Sequence, residues 1–134
     1  MLIIALLTTA LLFGGMVLYS FGFAAFLFTA LPPDVAGPTI RRAFPLFYLF
    51  VLCVAAVAAA LLVPFDRLAA GLLALIAATT LPTRQILMPA INRATDTGAK
   101  GRFKQLHRLS VVVTLVHIAL AGYVLARFVG GLAA

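Results

Sequence analysis

The chain has 134 residues, of which 65% are hydrophobic and only 10% are charged. An ordinary soluble domain has about 25% charged residues, so this composition excludes a soluble domain, and the abundant apolar residues also exclude intrinsic disorder. The net charge of +7 favours anionic lipid headgroups over nucleic acid as partners, because the basic residues are scattered and match no nucleic-acid-binding motif.

Four apolar segments follow one another along the chain, at about 2–31, 44–63, 68–91 and 103–129. Crossing a bilayer takes roughly 20 helical residues, and each segment is long enough. We therefore predict an all-α polytopic membrane protein, with a single domain over residues 1–134 that forms an antiparallel bundle of four transmembrane helices. Four crossings leave roughly 54 of the 134 residues, which is too few for an extramembrane catalytic domain.

Proline residues mark the expected ends of the first two helices. Pro32-Pro33-Asp34 should stop helix 1, because proline cannot continue the hydrogen-bond ladder, and a loop should follow as far as Arg42. The short turn from Pro64 to Arg67 predicts a hairpin of helices 2 and 3, in which Asp66 caps helix 3.

The third helix carries two prolines near its end. Pro82 should kink this helix, and Pro89 should kink or end it. The polar stretch 92–105 is predicted to contain the last loop. Gly130-Gly131 should end the fourth helix, because glycine favours helix ends.

Most basic residues lie in the two loops that follow helices 1 and 3. Seven of the ten are found there, namely Arg41, Arg42, Arg93, Lys100, Arg102, Lys104 and Arg108. The other side holds Arg67 and Arg127. The positive-inside rule then predicts a multi-pass protein of the inner (plasma) membrane, with both loops in the cytoplasm and both termini outside. Five basic side chains are expected to contact anionic lipid headgroups: Arg41, Arg42, Lys100, Arg102 and Lys104.

Four polar side chains share one stripe of the fourth helix: His107, Ser110, Thr114 and His117. At about 100° per residue they fall within roughly 80° of one another. Polar groups that face lipid would lack hydrogen-bond partners, so the stripe should face the bundle interior. Three interpretations fit the deepest of them, His117: a neutral histidine bonded to a neighbouring helix, a metal or haem ligand, or a proton relay.

The sequence predicts no metal site and no cofactor, but it leaves haem or copper open, with His117 as the candidate ligand. His107 and His117 are ten residues apart, which is about 15 Å along a helix. The chain has two histidines, so a bis-histidine haem within one chain is excluded. A haem bound by histidines from two chains of a dimer is not excluded.

A second group of polar residues is expected at the cytoplasmic rim: Arg84, Asn92, Asp96 and Arg108. Arg84 lies within the third apolar segment, where both snorkelling to lipid phosphates and an anion contact at the mouth of the bundle fit it. Its expected acidic partner is Asp34 or Asp96. No catalytic residue is predicted, because the sequence contains no nucleophile–base pair, carboxylate pair or phosphate-binding loop.

Two motifs carry a resemblance to a known family. The stretch Phe21–Phe28, with Leu31-Pro32, Gly37 and Phe44-Pro45 after it, resembles the transmembrane protein 205-like family, described as domain of unknown function 4149. Leu106-His107, Ser110 and Leu115 match a second motif, in which Thr114 stands in place of an asparagine. The resemblance implies a four-helix membrane fold with no assigned reaction. It marks seven family-motif residues: Phe28, Leu31, Pro32, Gly37, Phe44, Pro45 and Phe47.

The sequence therefore favours a non-enzymatic inner-membrane protein that serves as a structural or interaction module, or that handles a small solute. Two alternatives stay open: a haem- or metal-binding membrane redox protein, and an accessory subunit of a larger membrane complex. Gly122, Ala126 and Gly130 recur at every fourth position of the last helix, which fits either packing within one chain or a homo-oligomer.

Overall fold

The computed structural model describes residues 1–133 and consists of four long helices joined by short connections. Helix α1 covers Leu2–Ala30, α2 covers Pro33–Leu62, α3 covers Arg67–Asp96 and α4 covers Lys100–Ala133. All four are long and apolar enough to cross a membrane. The predicted number of helices is therefore confirmed, but several of their ends differ from the prediction.

The expected loop between helices 1 and 2 is wrong, because only Leu31 and Pro32 separate α1 from α2. Pro33 lies in the first turn of α2, where its missing N–H group costs nothing. Pro38 and Pro45 lie inside the helix. Each removes one backbone hydrogen bond, whereas leaving the helical state would expose many more backbone groups in apolar surroundings. The basic pair at 41–42 therefore lies on a helix.

The last connection lies within the predicted stretch 92–105 but is shorter than that stretch, because α3 continues to Asp96 and only 97–99 separate it from α4. Gly98 has a φ of +69°, a left-handed conformation that glycine adopts without strain. Its N–H donates to the Thr95 carbonyl (3.2 Å), and the Ala99 N–H donates to the Ala94 carbonyl (2.9 Å). This glycine cap ends α3 within three residues, so α4 begins three residues before the predicted 103. At its other end, α4 continues through Gly130-Gly131, which were expected to end it.

Two helices contain a π-helical segment, Leu18–Phe23 in α1 and Thr83–Leu87 in α3. The second follows directly after Pro82, so the expected irregularity at this proline takes the form of a change in hydrogen-bond register. Pro89 does not end the helix, since it lies in the first turn of the α-helical segment that follows. Such π-helical segments often occur at functional sites. Helix α1 changes its packing partner at its π-helical segment.

The first half of α1 packs against α2 and α4, and α3 also packs against α2 and α4. Two glycines permit close approach within the chain. A Cβ atom on Gly15 would lie 2.7 Å from the Phe50 ring, and one on Gly122 would lie 3.2 Å from the Phe13 ring. The predicted small-residue position at Gly122 therefore packs against α1.

Asp66 joins the start of α3 to the far end of α4. Its carboxylate accepts a hydrogen bond from the Ala69 N–H (3.0 Å), which confirms the predicted N-cap. The same carboxylate lies 2.6 Å from Nε of Arg127. The hydrogen bond from this guanidinium, together with the capped backbone N–H, holds the pKa of Asp66 below its usual range.

Candidate functional site

A cavity of about 880 Å³ lies at the end of the bundle where the connections 31–32 and 97–99 are found. All four helices contribute to its lining, within Ser20–Phe28 of α1, Pro33–Tyr48 of α2, Ile91–Asp96 of α3 and Phe103–Leu115 of α4. Small-molecule sites in proteins typically measure about 300–1,000 Å³. The cavity is therefore large enough for a small molecule.

The cavity is deep as well as wide. Along α4 its lining extends from Phe103 to Leu115, which is about 18 Å at 1.5 Å per residue. Helix α4 has 34 residues, so the cavity lining extends along more than a third of this helix.

The cavity lies where the second half of α1 has left α4. The segment Leu2–Val17 packs against α4, whereas Ala24–Ala30, beyond the π-helical segment, packs on α2. Phe21 and Phe28 line the cavity and are 54% and 61% exposed. The site is therefore open along the side of the bundle between α1 and α4.

Three of the four stripe residues line this cavity: His107, Ser110 and Thr114. Ser110 is buried, and its hydroxyl donates to the His107 carbonyl (2.7 Å). Thr114 is half-buried. The His107 side chain is exposed instead of buried, and its ring stacks on Phe103 with the ring centroids 5.5 Å apart.

His117 is buried but lies away from the cavity lining, against α3. Its Nε2 lies 2.7 Å from Oγ1 of Thr79. The Thr79 hydroxyl can also donate to the Leu75 carbonyl (2.8 Å). A hydroxyl has a single proton, so in that arrangement His117 donates to Thr79. This geometry is that of a histidine bonded to a neighbouring helix.

The rim of the cavity carries charged residues from two helices. Arg41 of α2 contacts Asp96 of α3 at 2.8 Å and donates to the Asn92 carbonyl at 3.2 Å. Both partners of the ion pair are substantially exposed, so the pair contributes about 1 kcal/mol or less. Arg42 also lines the cavity and is exposed, and it makes no ion pair with the described residues.

The remaining predicted rim and headgroup residues lie outside the cavity lining. Arg84 donates from Nε to the Pro45 carbonyl (3.1 Å). Its expected pairing with Asp34 or Asp96 is wrong, since Asp96 lies twelve residues further along the same helix, about 18 Å away, and pairs with α2. The other four are exposed on the first turns of α4: Lys100, Arg102, Lys104 and Arg108.

The family-motif residues surround the same end of the bundle. Phe28, Gly37 and Phe44 line the cavity, and Leu31 and Pro32 form the connection beside it. Phe47 is buried and stacks on the Tyr19 ring at 4.7 Å, which ties α1 to α2 behind the cavity wall.

Sequence reasoning missed three polar residues of the lining: Ser20, Tyr48 and Thr95. Ser20 stands in an otherwise apolar part of α1, and its polarity there was the signal that could have identified it. Tyr48 gave no such signal, because an aromatic residue in an apolar helix is typical of simple packing.

The family profile described as "Domain of unknown function (DUF4149)" matches residues 7–100. No curated protein and no solved structure matches the chain. The matched range contains the α1, α2 and α3 walls of the cavity, whereas the α4 wall lies beyond it. The second motif, within Phe103–Leu115, is therefore outside the match.

Proposed function

This chain belongs to the family of domain of unknown function 4149, and from that premise we propose that it is a membrane protein that binds a small molecule in its cavity. One observation carries the proposal: residues selected for three separate reasons line the same space. They are the stripe residues His107, Ser110 and Thr114, the rim residues Asn92 and Asp96, and the family-motif residues Phe28, Gly37 and Phe44. We propose that the protein handles this molecule without catalysing a reaction on it.

The finer placement in the cell follows from the charges. The four helices cross the inner (plasma) membrane as an antiparallel bundle, in the manner expected of a transmembrane protein 205-like protein. The basic end holds the cavity and faces the cytoplasm, and Lys100, Arg102 and Lys104 contact anionic headgroups there. A reporter that is active only outside the cytoplasm should therefore be active when it is fused to the C-terminus. Activity of a reporter that works only in the cytoplasm would mean that the orientation is the opposite one.

Purification in a mild detergent tests the binding function directly. We expect organic extraction and mass spectrometry to recover one class of small molecule from the protein at close to one equivalent. A matched extract of the whole membrane, which reports the bulk composition, is the control. If the molecules bound to the protein have the composition of the bulk membrane, the proposed function is wrong.

The same preparation separates this proposal from its alternatives. We propose that no haem or copper is needed, because His117 already has Thr79 as its hydrogen-bond partner. A Soret absorption band that disappears in a His117→Ala variant would favour the redox alternative instead. Native electrophoresis of the preparation would identify a homo-oligomer or a larger membrane complex.

A further inference from the structure

The hydroxyl groups of this protein are almost all satisfied by the protein itself. The chain has two serines, ten threonines and three tyrosines. Nine of the ten threonines donate to the backbone carbonyl four residues earlier in the chain. Ser110, Tyr19 and Tyr123 also have partners. Three hydroxyls, on Ser20, Tyr48 and Thr114, have no hydrogen-bond partner among the described residues.

The three residues that carry these hydroxyls all line the cavity, and they come from three different helices. The Ser20 oxygen is fully buried and unpartnered, in the π-helical segment of α1. Tyr48 is 7% exposed, and Thr114 is the threonine that does not bond to its own helix. Buried polar groups in proteins are normally hydrogen-bonded. The buried Ser20 oxygen is an exception to this rule, and the Tyr48 and Thr114 residues that also line the cavity carry further unpartnered hydroxyls. This combination points to a bound molecule that supplies the missing partners.

The rest of the lining indicates what kind of molecule this is. Side chains such as Phe21, Phe44, Val111 and Leu115 form apolar walls, and the side opening between α1 and α4 gives access from the lipid. At the rim, Arg42 provides a positive charge without an acidic partner among the described residues. The site therefore combines a positive charge that can contact an anion, neutral hydrogen-bond donors, and apolar walls with a side opening toward the lipid.

We infer that the ligand is an anionic glycerolipid of the leaflet, an inference that rests on the proposed function. Its acidic headgroup lies at Arg42, and its ester and glycerol oxygens accept hydrogen bonds from Tyr48 and Thr114. The Ser20 side chain, whose oxygen is buried in the cavity wall, turns toward the ligand to donate a third, and the lipid chain lies along the apolar walls toward the side opening. Tyr48 follows Arg42 by six residues on α2, about 9 Å along the helix. This spacing places Tyr48 further into the bundle than Arg42.

Removal of the three hydroxyls alone tests the inference. The variant Ser20→Ala/Tyr48→Phe/Thr114→Val deletes one oxygen at each position and keeps the shape of the tyrosine and threonine side chains. We expect its affinity for phosphatidate, measured on the full chain in nanodiscs of neutral lipid, to fall at least about tenfold, since each neutral hydrogen bond contributes a few-fold. The control is Thr8→Val/Thr29→Val/Thr39→Val, whose hydroxyls bond to their own helices outside the cavity.

The headgroup contact has its own pair of variants. Arg42→Ala should reduce the preference for phosphatidate over phosphatidylcholine about fivefold, a loss of roughly one charge-assisted contact. Arg108→Ala is the matched control, because Arg108 is exposed on α4 outside the cavity. Inorganic phosphate is offered as a competitor, and it should not displace the lipid.

The outcomes separate the two proposals. If the triple hydroxyl variant binds phosphatidate as tightly as the parent, or if inorganic phosphate competes for the site, the lipid inference is wrong while small-molecule binding stands. The same holds if the parent protein binds a different class of molecule and ignores phosphatidate. If the parent binds no small molecule at all, the inference and the proposed function fail together.

Discussion

Replacement of Ala24 and Ala25 together by phenylalanine is expected to lower ligand affinity by roughly five- to 150-fold. Both alanines line the cavity on α1, so two phenyl rings would occupy space that the ligand needs. Overpacking a filled site costs about 1–3 kcal/mol, which corresponds to this range of affinities. The measurement is the dissociation constant of the co-purified molecule, with the melting temperature recorded in parallel.

This substitution should affect binding and leave the bundle intact. The new rings point into existing space, so the melting temperature of the ligand-free protein should remain close to that of the parent. The control is Ala10→Phe/Ala30→Phe, because these alanines are exposed on the same helix and lie outside the cavity lining. Full binding by the Ala24/Ala25 variant would show that the ligand does not occupy this cavity.

Replacement of Asp66 by alanine is expected to destabilise the folded bundle by at least about 1 kcal/mol. The carboxylate caps α3 through the Ala69 N–H and also contacts Arg127 of α4 at 2.6 Å. Loss of an N-cap side chain alone costs roughly 0.5–2 kcal/mol, and loss of the ion pair leaves Arg127 without its acidic partner. Thermal unfolding in detergent measures the change.

Asparagine at this position separates the two contributions. Asp66→Asn keeps an oxygen that can cap α3 but removes the charge, so its stability should lie between those of the parent and Asp66→Ala. Arg127→Met should resemble Asp66→Asn, and the double variant should be no worse than either, as expected for one shared interaction. If Asp66→Ala unfolds at the temperature of the parent, neither contact stabilises the bundle.

The same pair predicts how stability depends on pH. Because folding lowers the pKa of Asp66, the charged carboxylate stabilises the fold above its unfolded pKa of about 3.9. That contribution to stability is lost as the pH falls through the lower pKa that Asp66 has in the folded protein. The parent should therefore lose stability below about pH 4, and Asp66→Asn should lose less. The chain has only three acidic residues, so few other carboxylates add to this response. If the parent and Asp66→Asn lose stability equally in acid, the Asp66–Arg127 pair is not the source of the response.

The site could be predicted in part, and the errors have a common cause. Helical periodicity grouped His107, Ser110 and Thr114, because residues three and four apart share a face of a helix, and all three line the cavity. The same reasoning grouped His117 with them, but this histidine lies against α3. A narrow stripe of residues on one helix can face two different surroundings, here the cavity and α3. Periodicity does not reveal which residues of the stripe face which.

Composition and the four apolar runs were sufficient to predict four helices, because a chain this poor in polar residues must satisfy its backbone hydrogen bonds internally. That same requirement overrode the local proline rule at Pro38, where the predicted loop is helical.

Which polar groups remain unpartnered depends instead on how the helices pack. Ser20, Tyr48 and Thr114 lie on three helices and up to 94 residues apart in sequence, and no local pattern links them. They share one cavity because α1 leaves α4 beyond its π-helical segment, and contacts between distant segments follow from packing, which sequence periodicity does not encode.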